Sequence, residues 1–67
     1  MKNNIERLMK DVDITVEELS KITNIPINQL NDIINGQLNP SLIDSHKITK
    51  ALNQEFIADV FVLGELE

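Results

Sequence analysis

Thr15-Val16-Glu17-Glu18 is written as a capping box. In such a box the threonine hydroxyl accepts from the Glu18 backbone N–H, and the Glu18 carboxylate reaches back to the Thr15 N–H. Two N–H groups that have no partner inside a helix are thereby satisfied, so a helix starts here. Ile14 just before the cap and Leu19 four residues inside the helix are spaced as a hydrophobic staple. The helix runs through Leu19 and Ile22 and stops near Thr23, because Asn24 tolerates the left-handed conformation that turns the chain. Pro26 then suits the first turn of a second helix, where its missing N–H costs nothing. That helix spans residues 27–35, with Leu30, Ile33 and Ile34 apolar and Asn28, Gln29, Asn31 and Asp32 polar, and Gly36 ends it. Two short helices joined by about three residues form a helix-turn-helix.

The flanking sequence supplies the remaining helices. Ile5, Leu8, Met9 and Val12 fall at i, i+3, i+4 and i+7, the stripe of an amphipathic first helix over residues 4–12. Asn3 or Asn4 can cap it, and Glu6 suits its first turn. Gln37-Leu38-Asn39-Pro40-Ser41 is a loop, since Pro40 disfavours helical geometry at Asn39. Ser41 or Asp44 can cap a fourth helix that reaches about Leu52, with Leu42, Ile48, Ala51 and Leu52 turned inward, and Asn53 stops it. A short fifth helix is expected over residues 56–61. The fold class is therefore all-α, a compact bundle of about five short helices with the helix-turn-helix in helices 2 and 3.

At 67 residues there is room for one domain. A chain of this size buries only about 60% of the surface its unfolded form exposes, so good caps matter. There are no cysteines, which leaves neither a disulfide framework nor a thiolate metal site. His46 is the only histidine, so no histidine pair can clasp a metal, and it reads as a solvated or half-buried residue. Glu17 and Glu18 point in different directions and read as first-turn charges favoured by the helix dipole rather than an acid/base pair. With no phosphate loop and no nucleophile–base arrangement, the expectation is a protein that is not an enzyme and needs no cofactor. No apolar run is long enough for a signal peptide or a membrane span, which points to a cytoplasmic protein with no membrane partner.

The net charge of −5 is unevenly spread. Residues 53–67 carry Glu55, Asp59, Glu65 and Glu67 and no base, whereas residues 1–52 hold all six bases against seven acids. The body is close to neutral and the end is acidic. Residues 1–61 are read as the folded domain, and residues 62–67 as an acidic, apolar C-terminal tail for dimerisation or partner binding.

Taken in order, Thr15-x-x-Glu18-Leu19-Ser20, Asn24-Ile25, Leu30, Ile33, Asn35-Gly36, Asn39-Pro40-Ser41-Leu42, Lys47-Ile48, Lys50-Ala51-Leu52 and Phe61 resemble the phage-repressor/Cro (XRE-type) helix-turn-helix family. The resemblance covers about residues 5–61 and implies a lambda-repressor-like fold. Two departures are informative. The family commonly pairs an arginine on the first helix with a glutamate at the end of the third, and here those positions hold Met9 and Ile34. Replacing both partners of a buried ion pair with apolar groups can be neutral or stabilising, whereas losing one strands a charge. Met9 is accordingly expected to contact Ile34. Ser45 stands where the family usually buries a leucine. It is expected either to bond back to a carbonyl one turn earlier or to leave a gap that Phe56 fills.

The resemblance further implies that the third helix enters the major groove of double-stranded DNA. The matching positions are Ile27, Asn28, Gln29, Asn31 and Asp32. Asn and Gln pair bidentately with adenine, and Ile27 can touch a thymine methyl, which suggests an A·T-leaning half-site. Thr15, Val16, Gln37, Asn39 and Ser41 complete the expected DNA-binding set. Cations are scarce: residues 15–37 contain one base, Lys21, against Glu17, Glu18 and Asp32. Helix N-termini near Thr15 and Ser41 are left to hold phosphates, and the salt dependence of binding should be shallow. The leading reading is a small sequence-specific regulator, repressor-like, that binds a two-fold operator as a homodimer. Val60, Val62, Leu63 and Leu66 are the candidate dimer or partner contacts. The alternative is a protein-interaction module on the same fold, an antirepressor or antitoxin-like partner of another regulatory protein. The acidic tail, Asp32 and the apolar side chains of Ile27, Leu38 and Ile43 favour it.

Overall fold

The computed structural model describes residues 2–61. Four α-helices follow one another: α1 (Ile5–Val12), α2 (Val16–Thr23), α3 (Ile27–Ile34) and α4 (Leu42–Ala51). A single 3₁₀ turn, Ile57–Asp59, closes the series. Among the described residues there is no β-strand, only one isolated antiparallel bridge between Asn3 and Phe61. The all-helical bundle with a helix-turn-helix at α2 and α3 is what the sequence implied.

Local chemistry accounts for each boundary. At α2 the capping box is complete. Thr15 Oγ1 accepts from the Glu18 N–H at 3.1 Å, and the Thr15 N–H donates to Glu18 Oε1 at 2.9 Å. Asn24 ends the helix in the left-handed region at φ 62°. Pro26 sits one place earlier than expected. It is the N-cap of α3 rather than its first helical residue, and its carbonyl accepts from the Leu30 N–H at 2.9 Å. Ser41 caps α4 by accepting from the Asp44 N–H at 3.1 Å, and Asn53 turns the chain away with φ 63°. At α1 the cap position is Asn4, but Asn3 makes the side-chain contact, accepting from the Ile5 N–H at 3.1 Å.

The core is one cluster. Ile5 and Leu8 of α1, Leu19 of α2, Leu30 and Ile33 of α3, and Ile48 and Leu52 at α4 meet Ile25, Val60 and Phe61. Met9, Val12, Ile14, Val16, Ile34, Ala51 and Ile57 pack half-buried around it. Met9 and Ile34 both border this cluster. The chain ends are tied together by the Asn4 N–H, which donates to the Val60 carbonyl at 2.7 Å. Asn3 also binds α3 from 30 residues away, donating from Nδ2 to the Ile33 carbonyl at 2.9 Å and to that of Ile34 at 3.4 Å. Those carbonyls lie in the last turn of α3 and have no partner within the helix.

The structure departs further from the sequence expectation toward the C-terminal end. Leu42 does not turn inward; it is 77% exposed. The inward residues of α4 are Ser45, Ile48, Thr49 and Leu52, and Leu42 lies in the turn before that buried stripe begins. Residues 56–61 do not form an α-helix: Phe56 is extended and 65% exposed, and only Ile57–Asp59 coil, with Asp59 Oδ2 accepting from the Phe56 N–H at 3.1 Å. Phe56 therefore cannot fill the space left by Ser45. Ser45 solves its burial as the first option foresaw, donating to the Ser41 carbonyl one turn earlier at 2.8 Å. Lastly, Val60, expected at an interface, has no exposed surface and belongs to the domain's own core.

Thr15→Ala removes one acceptor and breaks the box, which should cost about 1 kcal/mol, or about 4–8 °C in Tm, measured by urea and thermal unfolding of the full chain. Met9→Ala and Ile34→Ala, made singly and together, should couple by at least about 0.5 kcal/mol if the two side chains touch; additive losses would separate them.

Candidate nucleic-acid interface

The surface at issue is made by the outer faces of α2 and α3, and its shape depends on the turn between them. Residues 24–26 make that turn, and each is held. Asn24 adopts φ 62°, and its N–H donates to the Ser20 carbonyl at 2.7 Å. Ile25 inserts its side chain into the core. Two hydroxyls of α2 clamp the backbone on either side of Ile25. Ser20 Oγ donates to the Ile25 carbonyl at 2.6 Å, and Thr23 Oγ1 accepts from the Ile25 N–H at 3.3 Å while donating to the Leu19 carbonyl at 2.7 Å. Sequence reading missed both clamps. The available signal was a pair of hydroxyl residues in the last turn of α2, where local side-chain bonds to backbone are favoured.

On this frame α3 buries Leu30 and Ile33 and turns Ile27, Asn28, Asn31 and Asp32 to the exterior, with Gln29 half-buried at the edge. Among the described residues no hydrogen bond engages the side-chain amides of Asn28, Gln29 or Asn31. Their donors and acceptors are therefore free to meet a ligand. Below α3, Gly36 takes φ 80°, which a residue with a Cβ adopts only at a cost. The N–H groups of Gln37 and Leu38 both donate to the Asp32 carbonyl, at 2.9 and 3.1 Å. The loop is thereby fixed against the end of α3. Gln37, Asn39 and Ser41 are exposed along it.

Of the two expected residues at α2, Thr15 is exposed, with its hydroxyl engaged in the cap. Val16 packs half-buried against the core. What this end can offer an anion is the backbone N–H groups of the first turn, which have no intrahelical partner, together with the positive end of the helix dipole. The first turn of α4 presents the same feature beyond Ser41. Glu17, Glu18, Lys21 and Asp32 are all exposed, so the surface carries more acid than base. Val62, Leu63 and Leu66 lie outside the described residues. No helix among the described residues is long and apolar enough to cross a membrane, and none of their His, Asp and Glu side chains form a group of three that could hold a metal.

Two short helices joined by a three-residue turn whose central Ile25 is buried, the second with Asn28 and Asn31 exposed, define the helix-turn-helix class. The chain belongs to the helix-turn-helix domain family, whose model it matches over residues 1–63. It is 34% identical over 65 residues to a protein of Methanothermobacter thermautotrophicus described as an uncharacterized HTH-type transcriptional regulator, an alignment that covers 97% of this chain and 94% of that protein.

Thr23→Val keeps shape and adds apolar surface, yet it leaves the buried Ile25 N–H without its acceptor. It should destabilise the domain by about 1–3 kcal/mol in urea unfolding. At the left-handed position, Asn24→Gly should be tolerated, whereas Asn24→Val should cost about 1–2 kcal/mol in the same assay.

Proposed function

We propose that this protein is a DNA-binding transcriptional regulator of the phage-repressor/Cro-like type, which reads an A·T-leaning half-site with α3 and acts as a homodimer on a two-fold operator. The observation that carries this reading is the pair of exposed, unengaged amides of Asn28 and Asn31, with Gln29 half-buried at their edge, on a helix whose opposite stripe, Leu30 and Ile33, is locked in the core. Amides of this kind can pair bidentately with adenine N6 and N7, and each good pair is worth about 1–3 kcal/mol of discrimination. The name of the archaeal relative agrees with such a role.

Positioning falls to neutral groups. With Lys21 the only base among residues 15–37, counterion release contributes little. Phosphates are held by the N–H groups at the starts of α2 and α4, by Thr15 and Ser41, and by Gln37 and Asn39 in the loop. Binding specificity then rests on the amides, with a small sequence-independent part. One eight-residue helix reads too few base pairs for useful selectivity, so two copies act on half-sites about one helical turn apart. The excess of Glu17, Glu18 and Asp32 over Lys21 favours one alternative, in which the same face docks on a protein.

Selection of bound sequences from random duplexes at low salt decides between them. Enrichment of a two-fold A·T-rich site is the expected result, and no enrichment would transfer the face to a protein partner. On the selected site, Asn28→Ala and Gln29→Ala should each weaken binding by about 1–3 kcal/mol and leave binding to unrelated duplex unchanged. The salt slope should correspond to well under about six neutralised phosphates per subunit; a steeper one would refute the neutral positioning groups.

A further inference from the structure

The four helices do not end alike. α1, α2 and α4 each carry a base in the last turn, Lys10, Lys21 and Lys50, whereas α3 carries none. A cation near a helix C-terminus answers carbonyls that have no partner inside the helix and offsets the negative end of the dipole. At α3 that task falls to a neutral side chain from far away in the chain. Asn3, half-buried, donates from Nδ2 to the Ile33 and Ile34 carbonyls at 2.9 and 3.4 Å. The Ile33 carbonyl also accepts from the Gly36 N–H at 3.1 Å. Asn3 therefore meets α3 where the helix passes into the left-handed turn at Gly36, with φ 80°.

The other end of the same carboxamide is engaged as well. Its Oδ1 accepts from the Ile5 N–H at 3.1 Å, at the start of α1. The Asn3 backbone forms the antiparallel bridge to Phe61, and the neighbouring Asn4 N–H donates to the Val60 carbonyl at 2.7 Å. Val60 and Phe61 are both buried, so they fix where the amide stands. One planar group thus joins the start of α1 to the end of α3. It must accept on one side and donate on the other; an aspartate carboxylate only accepts, and a lysine only donates.

We propose that Asn3 is a positioning residue for the candidate interface. Its amide donor sets the last turn of α3 and, through Gly36, the loop that carries Gln37, Asn39 and Ser41. The loop has no independent hold at this end, because the Gln37 and Leu38 N–H groups both donate to the Asp32 carbonyl in the same part of α3. The effect of Asn3 on DNA rests on the regulatory reading above; its effect on the loop does not.

Asn3→Asp separates the two halves of the amide. It keeps an acceptor for the Ile5 N–H and adds a charge that suits the start of α1. It loses the donor and sets a carboxylate against the carbonyl end of α3. Hydrogen exchange followed by NMR on the full chain reads the result, each variant being compared with the unaltered protein at the same pH. Near neutral pH, protection of the Gly36, Gln37 and Leu38 N–H groups should fall about tenfold or more, while the Leu8 N–H of α1 keeps its protection. Acidification through about pH 4 protonates the new carboxyl and returns an O–H donor, which should close most of that gap. Asn3→Ser, uncharged and too short to reach α3, should loosen the same loop with no recovery in acid. Asn4→Ala, which removes a 3.5 Å bond to the Asp59 carbonyl, should leave the loop unchanged. Equal losses at Leu8 and the loop, an unmoved loop, or an Asn3→Asp loss indifferent to acid would overturn the proposal. On the selected duplex, Asn3→Asp and Asn3→Ser should weaken binding severalfold at neutral pH and Asn4→Ala should not. Undiminished binding by a protein with a loosened loop would remove the positioning role. If no duplex is enriched, the regulatory reading fails, and the exchange measurement still decides whether Asn3 sets the loop.

Discussion

The packing of Leu19, Ile25, Leu30 and Ile33 against Ile48 and Leu52 is the contact on which the rest of the molecule depends. It joins α2 to α3 through the turn residue between them and sets α2 against α4. An eight-residue helix is marginal in water, and neither α2 nor α3 would persist alone. Burial of one stripe from each makes them helices and fixes the angle at which they cross. The polar side chains opposite those stripes inherit their positions from that contact. Ser20 and Thr23 secure it at the turn, and Asn3 secures the far end of α3, so the amide-bearing helix is braced at both ends.

Electrostatics shape what such a rigid face can do. A surface with one lysine against three acids does not hold a polyanion by charge, and it gains little from long-range steering. On the proposed reading its recognition rests on short-range hydrogen bonding, which rewards a correct base edge and offers little to a wrong one. That reading trades affinity for a comparatively large sequence-dependent share of binding.

The helix order was legible in the sequence because the punctuation is local. Thr15 with Glu18, Asn24, Gly36, Ser41 and Asn53 each act within a few residues of themselves, and each does what its chemistry suggests. Val60 and Leu42 were misread for the opposite reason. Both are apolar residues near the ends of elements, where periodicity no longer tells which side faces the core; tertiary packing buries the first and leaves the second outside. Residues 56–61 were expected to form a short helix, but their backbone is pinned instead by the Asp59 carboxylate and by the bond from Asn4 to Val60. At the candidate site, the exposure of Asn28 and Asn31 followed from helical spacing. The clamps at Ser20 and Thr23 and the tie from Asn3 depend on carbonyls brought near by the fold, and Asn3 reaches across 30 residues.

The central claim is that α3 is a rigid rod whose free amides meet base edges. Titrating the isotope-labelled full chain with an A·T-rich duplex, while following side-chain NH₂ resonances, tests it most directly. The account predicts that the signals of Asn28, Gln29 and Asn31 move first and furthest, while the backbone amides of Leu30 and Ile33 keep their protection from exchange. Resonance changes confined to α1 or α4, or loss of protection across α3 on binding, would contradict it.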